Sequence, residues 1–158
     1  MNLRIRWKTL VFSLGLPLAV GGLAAFVTSD AMVAFGKLNQ PPLSPPGWLF
    51  PVVWTVLYLL MGLAFYMITV SNVEEESVNP AKKVYYGQLA VNFLWSLIFF
   101  NLEQYFFAFL WLLFLWVLIF MTLIRFYRIQ PLAGYLLVPY LLWVTFAGYL
   151  NFGIFLLN

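Results

Sequence analysis

The side chains able to do chemistry in this sequence are indoles and amides, and their spacing groups them. Pro51, Trp54, Tyr58, Met61 and Phe65 follow one another at steps of three and four, so on a helix they share one face. Tyr85, Gln88, Asn92 and Ser96 form a second such series, and Tyr135, Pro139, Trp143, Ala147 and Asn151 a third. Indole and phenol rings bind flat ligands by stacking and burial, and a tryptophan can also be oxidised to a radical. Gln88 and Asn92 can orient a ligand or bond between helices, where such bonds contribute about 0.6–2 kcal/mol.

Other chemistries are excluded by composition. The chain has no Cys and no His, which removes disulfides, thiolate nucleophiles, imidazole relays and the usual zinc and haem ligands. No resident metal or cofactor is expected. The acids Asp30, Glu74, Glu75, Glu76 and Glu103 fall at or beyond the ends of apolar stretches, so no carboxylate pair is expected inside a membrane. An ion-driven pump normally carries an intramembrane ionisable residue, and this chain offers none. Its net charge of +3 comes with no nucleic-acid motif, so no nucleic-acid partner is expected.

The elements that must position these groups are membrane helices. The chain of 158 residues is 65% hydrophobic and only 8% charged, too few charges to coat a soluble globule. Five apolar stretches are long enough to cross a bilayer, at about 9–27, 47–70, 84–100, 105–124 and 132–157. A β-barrel would alternate apolar and polar residues, and these stretches do not. The expected fold is therefore an all-α integral membrane protein, a five-transmembrane-helix bundle in a single domain spanning 1–158. The connections at 71–83, 101–104 and 125–131 are short, and 28–46 is the one long loop.

That loop ends in Pro41, Pro42, Pro45 and Pro46, which cannot form regular helix interior, and it runs straight into the second span. Trp48 stands at its mouth, as an interfacial belt residue and as a candidate rim contact. Pro51, Trp54 and Tyr58 continue the face inward. Three aromatic faces and an amide pair converging on a proline-capped mouth describe a pocket for a large, flat, mostly apolar ligand. The fourth span, from Phe106 to Phe120, has no polar side chain before Thr122 and reads as a wall toward lipid or a second subunit.

With five spans, Arg4, Arg6, Lys8, Lys82, Lys83, Arg125 and Arg128 share one side, and only Lys37 lies on the other. The positive-inside rule then places the N-terminus in the cytoplasm and the long loop and C-terminus outside, in keeping with a bacterial cytoplasmic membrane. The basic start and the Gly21-Gly22-Leu23-Ala24-Ala25 run resemble a signal peptide. Its apolar part is too long for a cleaved one, however, and the Gly15/Ala19 and Gly21/Ala25 pairs suit helix packing.

Three segments together resemble the TspO/MBR family, the tryptophan-rich sensory proteins of bacteria related to the mitochondrial translocator protein. They are Pro41 to Ala64, with Pro45-Pro46-Gly47-Trp48-Leu49-Phe50-Pro51-Val52-Val53-Trp54; Gln88 to Ser96 with Phe99-Phe100; and Val138-Pro139-Tyr140-Leu141-Leu142-Trp143 through Ala147 to Asn151. The resemblance implies a five-helix homodimer with a pocket near the outer mouth, capped by the first loop. It implies porphyrins such as protoporphyrin IX, along with isoquinoline and benzodiazepine drugs, as ligands. Position by position, Trp54 and Trp143 match two pocket tryptophans linked to porphyrin binding and to its light-dependent breakdown, in which they would be the catalytic residues. Asn92 and Trp95 match pocket positions of the third helix, and Ala147 matches a small position of the fifth.

The candidate ligand-binding set is therefore Trp48, Pro51, Trp54, Tyr58, Gln88, Asn92, Trp95, Pro139, Trp143 and Ala147. The chain departs from some relatives at Ala34-Phe35-Gly36, where they carry a Trp-Tyr-Asp group over the pocket, and from many at Leu43, where they carry a tryptophan. It also has no Lys or Arg after Asn151, so the sterol pattern of animal members is not completed. Three functions stay open: a porphyrin receptor or scavenger acting in tetrapyrrole or stress regulation, a light-dependent porphyrin-degrading enzyme, and a passive carrier of tetrapyrroles or other apolar molecules.

Overall fold

The apolar stretches fold as helices because lipid offers no partner to backbone N–H and C=O groups, so a crossing segment must satisfy its own. The computed structural model describes residues 4–158, and these contain helices and short connections without a strand. In chain order they are α1 (Trp7–Val27), α2 (Ser29–Phe35), α3 (Leu49–Thr69), α4 (Glu75–Ser96), α5 (Tyr105–Ile129), α6 (Pro131–Leu136) and α7 (Val138–Leu157). A π-helical turn, Leu97–Asn101, prolongs α4.

Four stretches are long and apolar enough to cross a membrane: α1, α3, α5, and α6 with α7 taken together as Pro131–Leu157. The architecture is an α-helical membrane bundle. The remaining long helix, α4, is the polar member, because it carries Glu75, Glu76, Lys82 and Lys83 as well as Gln88 and Asn92. It begins well before residue 84, so much of the expected 71–83 loop is helix and the connection shrinks to 70–74. Glu75 and Glu76 sit in its first turn, where carboxylates complement the helix dipole. The long 28–46 connection is likewise part helix, with α2 folded inside it.

The fifth stretch is broken. Helical geometry stops at Leu137, and Pro139 in the first turn of α7 has no N–H to bond back to the carbonyl of Tyr135. The four-residue series from Tyr135 to Asn151 therefore does not share a face throughout. Tyr135 and Pro139 are exposed, whereas Trp143, Ala147 and Asn151 turn inward.

The core runs along the bundle, from Ile68 and Phe126 near Arg6 to Ala108 and Ile154 at the other end. Met61, Ala64 and Ile68 of α3, Ala81 and Tyr85 of α4 and Ile119 and Phe126 of α5 are fully buried there. Phe65 stacks on Tyr85 at 4.7 Å between centroids, and Tyr85 on Phe126 at 5.7 Å, a geometry that adds to burial alone. The helices approach closely where a side chain is missing. A Cβ on Gly62 would stand 2.5 Å from the Ser13 carbonyl oxygen of α1, and one on Gly134 would stand 2.8 Å from Tyr127 Cα of α5. Close contact of this kind drives association in lipid, where the hydrophobic effect gives little between helices. On the outside of α5, Phe106, Phe107, Leu110, Leu113 and Phe114 are exposed, as the wall reading expected.

The two ends of the bundle differ in charge. The backbone N–H of Arg6 donates to the Tyr66 hydroxyl at 3.0 Å, so the start of α1 lies beside the end of α3. Arg6, Lys8, Lys82, Lys83, Arg125 and Arg128 gather at this end with Glu74, Glu75 and Glu76. The opposite end holds α2, the proline loop and the chain's last residues, with Lys37, Asp30 and Glu103.

Candidate functional site

At the end opposite the basic cluster the helices separate around a cavity of about 440 Å³. That lies within the range of small-molecule sites. Helix α3 supplies Phe50, Pro51, Trp54, Thr55 and Tyr58, at the spacing the sequence predicts for one face. Helix α4 and its π turn supply Asn92, Trp95, Ser96, Phe99 and Phe100, and α7 supplies Trp143, Ala147 and Asn151. The wider turn at Leu97–Asn101 lets consecutive residues, Phe99 and Phe100, both face Phe35 of α2, at 5.6 and 5.3 Å between centroids. Such turns recur at functional sites because they re-aim side chains without ending the helix.

The aromatic groups form one connected surface. Trp54 stacks on Tyr58 at 5.5 Å and meets Tyr140 edge-on at 6.2 Å. Trp143 packs edge-on against Phe50 at 6.0 Å, and Trp95 stacks on Phe99 at 5.2 Å. Trp54 and Trp143 remain half-exposed to the cavity, while Tyr58 and Trp95 are buried in its wall.

The amides of this wall and the Trp95 indole are hydrogen-bonded, whereas the indole N–H groups of Trp54 and Trp143 and the Ser96 hydroxyl have no partner among the described residues. Tyr140 O–H donates to Gln88 Oε1 at 2.7 Å and accepts from Asn92 Nδ2 at 2.9 Å. The indole N–H of Trp95 donates to Asn151 Oδ1 at 3.1 Å, and Asn151 Nδ2 donates to the Tyr105 carbonyl at 2.8 Å. Thr28 and Thr55 turn their hydroxyls back to carbonyls of their own helices, at 2.8 and 2.7 Å. Among the described residues, no charged side chain lines the cavity. The surface offered to a ligand is flat, apolar and aromatic, and its bound networks hold it rigid.

Of the ten candidate residues, Pro51, Trp54, Tyr58, Asn92, Trp95, Trp143 and Ala147 come together on this cavity. Three do not line it. Gln88 is fully buried one layer behind, held by Tyr140 and with its amide nitrogen 3.9 Å from Met61 Sδ, so it supports the wall. Pro139 is exposed at the break between α6 and α7. Trp48 is 67% exposed just before α3, outside the lining, as suits a residue of an interfacial belt.

The sequence reading did not foresee the contribution of α1. Of the small residues there assigned to packing, Gly21 packs against the Tyr58 ring and also lines the cavity with Ala25, while Gly15 and Ala19 are exposed; Gly22, not assigned, lines the cavity too. The Gly21-Gly22 pair was the available signal, since adjacent glycines on a helix cannot both serve one interface. Tyr140 was also absent from the predicted series, although it joins both amides. It lies one residue beyond Pro139, and the break at Leu137 turns it inward.

The proline loop is tied to α7. Pro41 seats in the notch of Gly153, where a Cβ would stand 2.6 Å from the Pro41 ring. Tyr149 O–H donates to the Pro42 carbonyl at 2.7 Å, and Asn158 Nδ2 donates to the Asn39 carbonyl at 2.9 Å. Leu43 follows with a positive φ of 69° and is 84% exposed, so it projects away from the cavity instead of covering it.

Comparison with known proteins shows the family. Residues 13–157 match the profile of the TspO/MBR family. The chain is 38% identical over 151 residues to the tryptophan-rich protein TspO of Chlorobaculum tepidum, covering 95% of this chain and 96% of that one. It is 36% identical over 124 residues to the tryptophan-rich sensory protein of Cereibacter sphaeroides, covering 78% and 76%. To the translocator protein of Bos taurus it is 34% identical over 138 residues, covering 85% and 81%.

Proposed function

The chain belongs to the TspO/MBR family, a group of membrane proteins, and on that footing we propose that it is a receptor or scavenger for porphyrins of the protoporphyrin IX type and other flat apolar molecules. The observation that carries this reading is the cavity wall: Trp54, Tyr58, Trp95 and Trp143 around an uncharged space of about 440 Å³. Ring stacking and burial supply the affinity, and the carboxylates of a porphyrin stay at the mouth, because burying them without a partner is costly.

In the proposed setting, α4 with its π turn completes five spans. The Arg6, Lys82 and Arg125 end faces the cytoplasm by the positive-inside rule, with the cavity toward the outer face of a bacterial cytoplasmic membrane. The exposed aromatic face of α5 is apolar enough to accept lipid or a second copy, which is compatible with a homodimer. The cavity occupies one half of the bundle, and the Gln88–Tyr140–Asn92 network and packed core lie behind it. A blind space favours holding a ligand over carrying it through.

A second reading, light-dependent degradation of the bound porphyrin, draws support from Trp54 and Trp143, the two half-exposed indoles of the wall. Titration of the purified protein with protoporphyrin IX, in darkness and then under illumination, tests both. Saturable binding that is stable in light supports the receptor reading. A new product under light that disappears in Trp54→Phe or Trp143→Phe supports the enzyme. Without saturable binding, the porphyrin assignment falls.

A further inference from the structure

Three contacts show how the long connection lies against α7. Asn39 meets the end of that helix: its backbone N–H donates to Asn158 Oδ1 at 3.2 Å, and Asn158 Nδ2 donates to its carbonyl at 2.9 Å. Pro41 then seats against Gly153, and the Pro42 carbonyl accepts from the Tyr149 hydroxyl at 2.7 Å. With a rise of about 1.5 Å per residue, Gly153 lies about 6 Å short of Leu157, the last residue of α7, and Tyr149 about 12 Å short. The chain from 39 to 42 therefore descends along the flank of α7 by at least a turn.

The turns it descends beside are apolar on the outside. Phe152, Phe155 and Leu156 of α7 are all exposed, which in a membrane bundle marks contact with lipid. The segment that follows suits the same place. Residues 39–48 carry no charge. Irregular backbone is excluded from lipid because its polar groups go unpaired, yet Pro41, Pro42, Pro45 and Pro46 have no N–H to pair. The carbonyls of Pro41, Pro42 and Pro46 accept from Ser44 Oγ, the Tyr149 hydroxyl and the Leu49 N–H. Leu43 holds a φ of 69°, a left-handed conformation that a bulky side chain seldom adopts, and it is 84% exposed. Trp48, 67% exposed, ends the segment just before α3, as an interfacial belt residue does. In water, the exposed leucine would add to the cost of its own backbone strain. In lipid, burial of its side chain offsets that strain.

We propose that Pro41–Trp48 is a bilayer anchor: Leu43 and Trp48 insert into the glycerol and upper acyl-chain layer of the leaflet at this end of the bundle. The partner is the apolar part of the lipid and not an anionic headgroup, since no cation lies among residues 39–48. The anchor fixes the entry of α3, whose first turns carry Phe50, Pro51 and Trp54 to the cavity. It goes beyond the ligand reading and does not depend on what the cavity holds.

The chain has no cysteine, so a single introduced thiol can be labelled selectively. Leu43→Cys and Gly47→Cys would each carry bimane in phosphatidylcholine vesicles. The second variant keeps Leu43 in place, and a Cβ on Gly47 meets nothing within 4 Å. Lys37→Cys, exposed in the same connection, is the aqueous reference. Two quenchers would be compared: iodide on both sides of the membrane, and phosphatidylcholine bearing a nitroxide near the glycerol end of an acyl chain. Both anchor labels should emit to the blue of the Lys37 label. Iodide should quench them several-fold less than that reference, and the lipid nitroxide several-fold more. Iodide quenching equal to that at Lys37 overturns the anchor and leaves the loop in water. Shielding from both quenchers also overturns it. Loss of that shielding on dilution into lipid would identify a second copy as the cover, and its persistence would identify the chain's own helices.

Discussion

Tyr140 O–H donates to Gln88 Oε1 across 2.7 Å, and through the same oxygen it receives Asn92 Nδ2 at 2.9 Å. One hydroxyl thereby fixes two amides of α4 against α7 behind the cavity. Replacing it with hydrogen leaves both amides buried with a lost partner. Tyr140→Phe should destabilise the bundle by about 1–2 kcal/mol, between the usual range for a buried orphan and the smaller values typical of membrane proteins. In detergent the Tm should fall by roughly 2–8 °C. An unchanged Tm would mean that the network contributes orientation and no stability.

Gly62→Ala should be more damaging than its single methyl suggests. The added carbon would stand 2.5 Å from the Ser13 carbonyl oxygen and 2.8 Å from Leu14 Cα, backbone atoms that cannot rotate away. Overpacking of this kind costs about 1–3 kcal/mol. Gly15→Ala is the matched control, because nothing lies within 4 Å of its added carbon. Thermal unfolding of the two variants side by side should separate them clearly.

Trp143→Ala should weaken protoporphyrin IX binding by several-fold while the protein stays folded. The indole is half-exposed to the cavity and holds Phe50 edge-on at 6.0 Å, so its removal takes away a stacking surface without opening the core. Aromatic contacts contribute about 0.5–1.5 kcal/mol beyond burial, roughly a factor of two to ten in affinity. Fluorescence titration measures it. Unchanged affinity in a well-folded variant would remove Trp143 from the site.

Gly153→Val should unseat the proline loop. Even a Cβ at this position would stand 2.6 Å from the Pro41 ring, and the branched side chain fills the notch. Limited proteolysis should then cut between residues 37 and 46 many times faster than in wild type, with the helices left intact. Equal rates would mean that Tyr149 and Asn158 hold the loop by themselves.

Much of this was legible in the sequence because lipid makes strong demands on it. A crossing helix needs a long apolar run, and four of the five expected runs meet that criterion in the structure. The series from Pro51 to Tyr58 kept its face because nothing interrupts α3 there. The series from Tyr135 to Asn151 did not, because the chain breaks at Leu137 and periodicity is meaningful only along an unbroken helix. The start of α4 was missed because its first turns are charged, and hydropathy detects burial in lipid, not helicity. The Gly15/Ala19 pair was assigned to packing and is exposed, because a glycine at a helix contact and a glycine away from one look alike in sequence. Only the neighbouring helix distinguishes them.

The commitment of the wall's amides and indole to one another has a consequence for selectivity. A site that keeps a free donor or acceptor rejects an analogue lacking the matching group by orders of magnitude, because something buried is then left unpaired. Here Trp95 already has Asn151, and Tyr140 already has Gln88 and Asn92, so a newcomer meets only the indole N–H groups of Trp54 and Trp143 and the Ser96 hydroxyl. Both indoles are half-exposed, so a guest that leaves them unmatched loses less than it would in a closed site. Outline should therefore do most of the sorting, with a lesser preference for flat guests that carry an acceptor on the edge toward these two indoles.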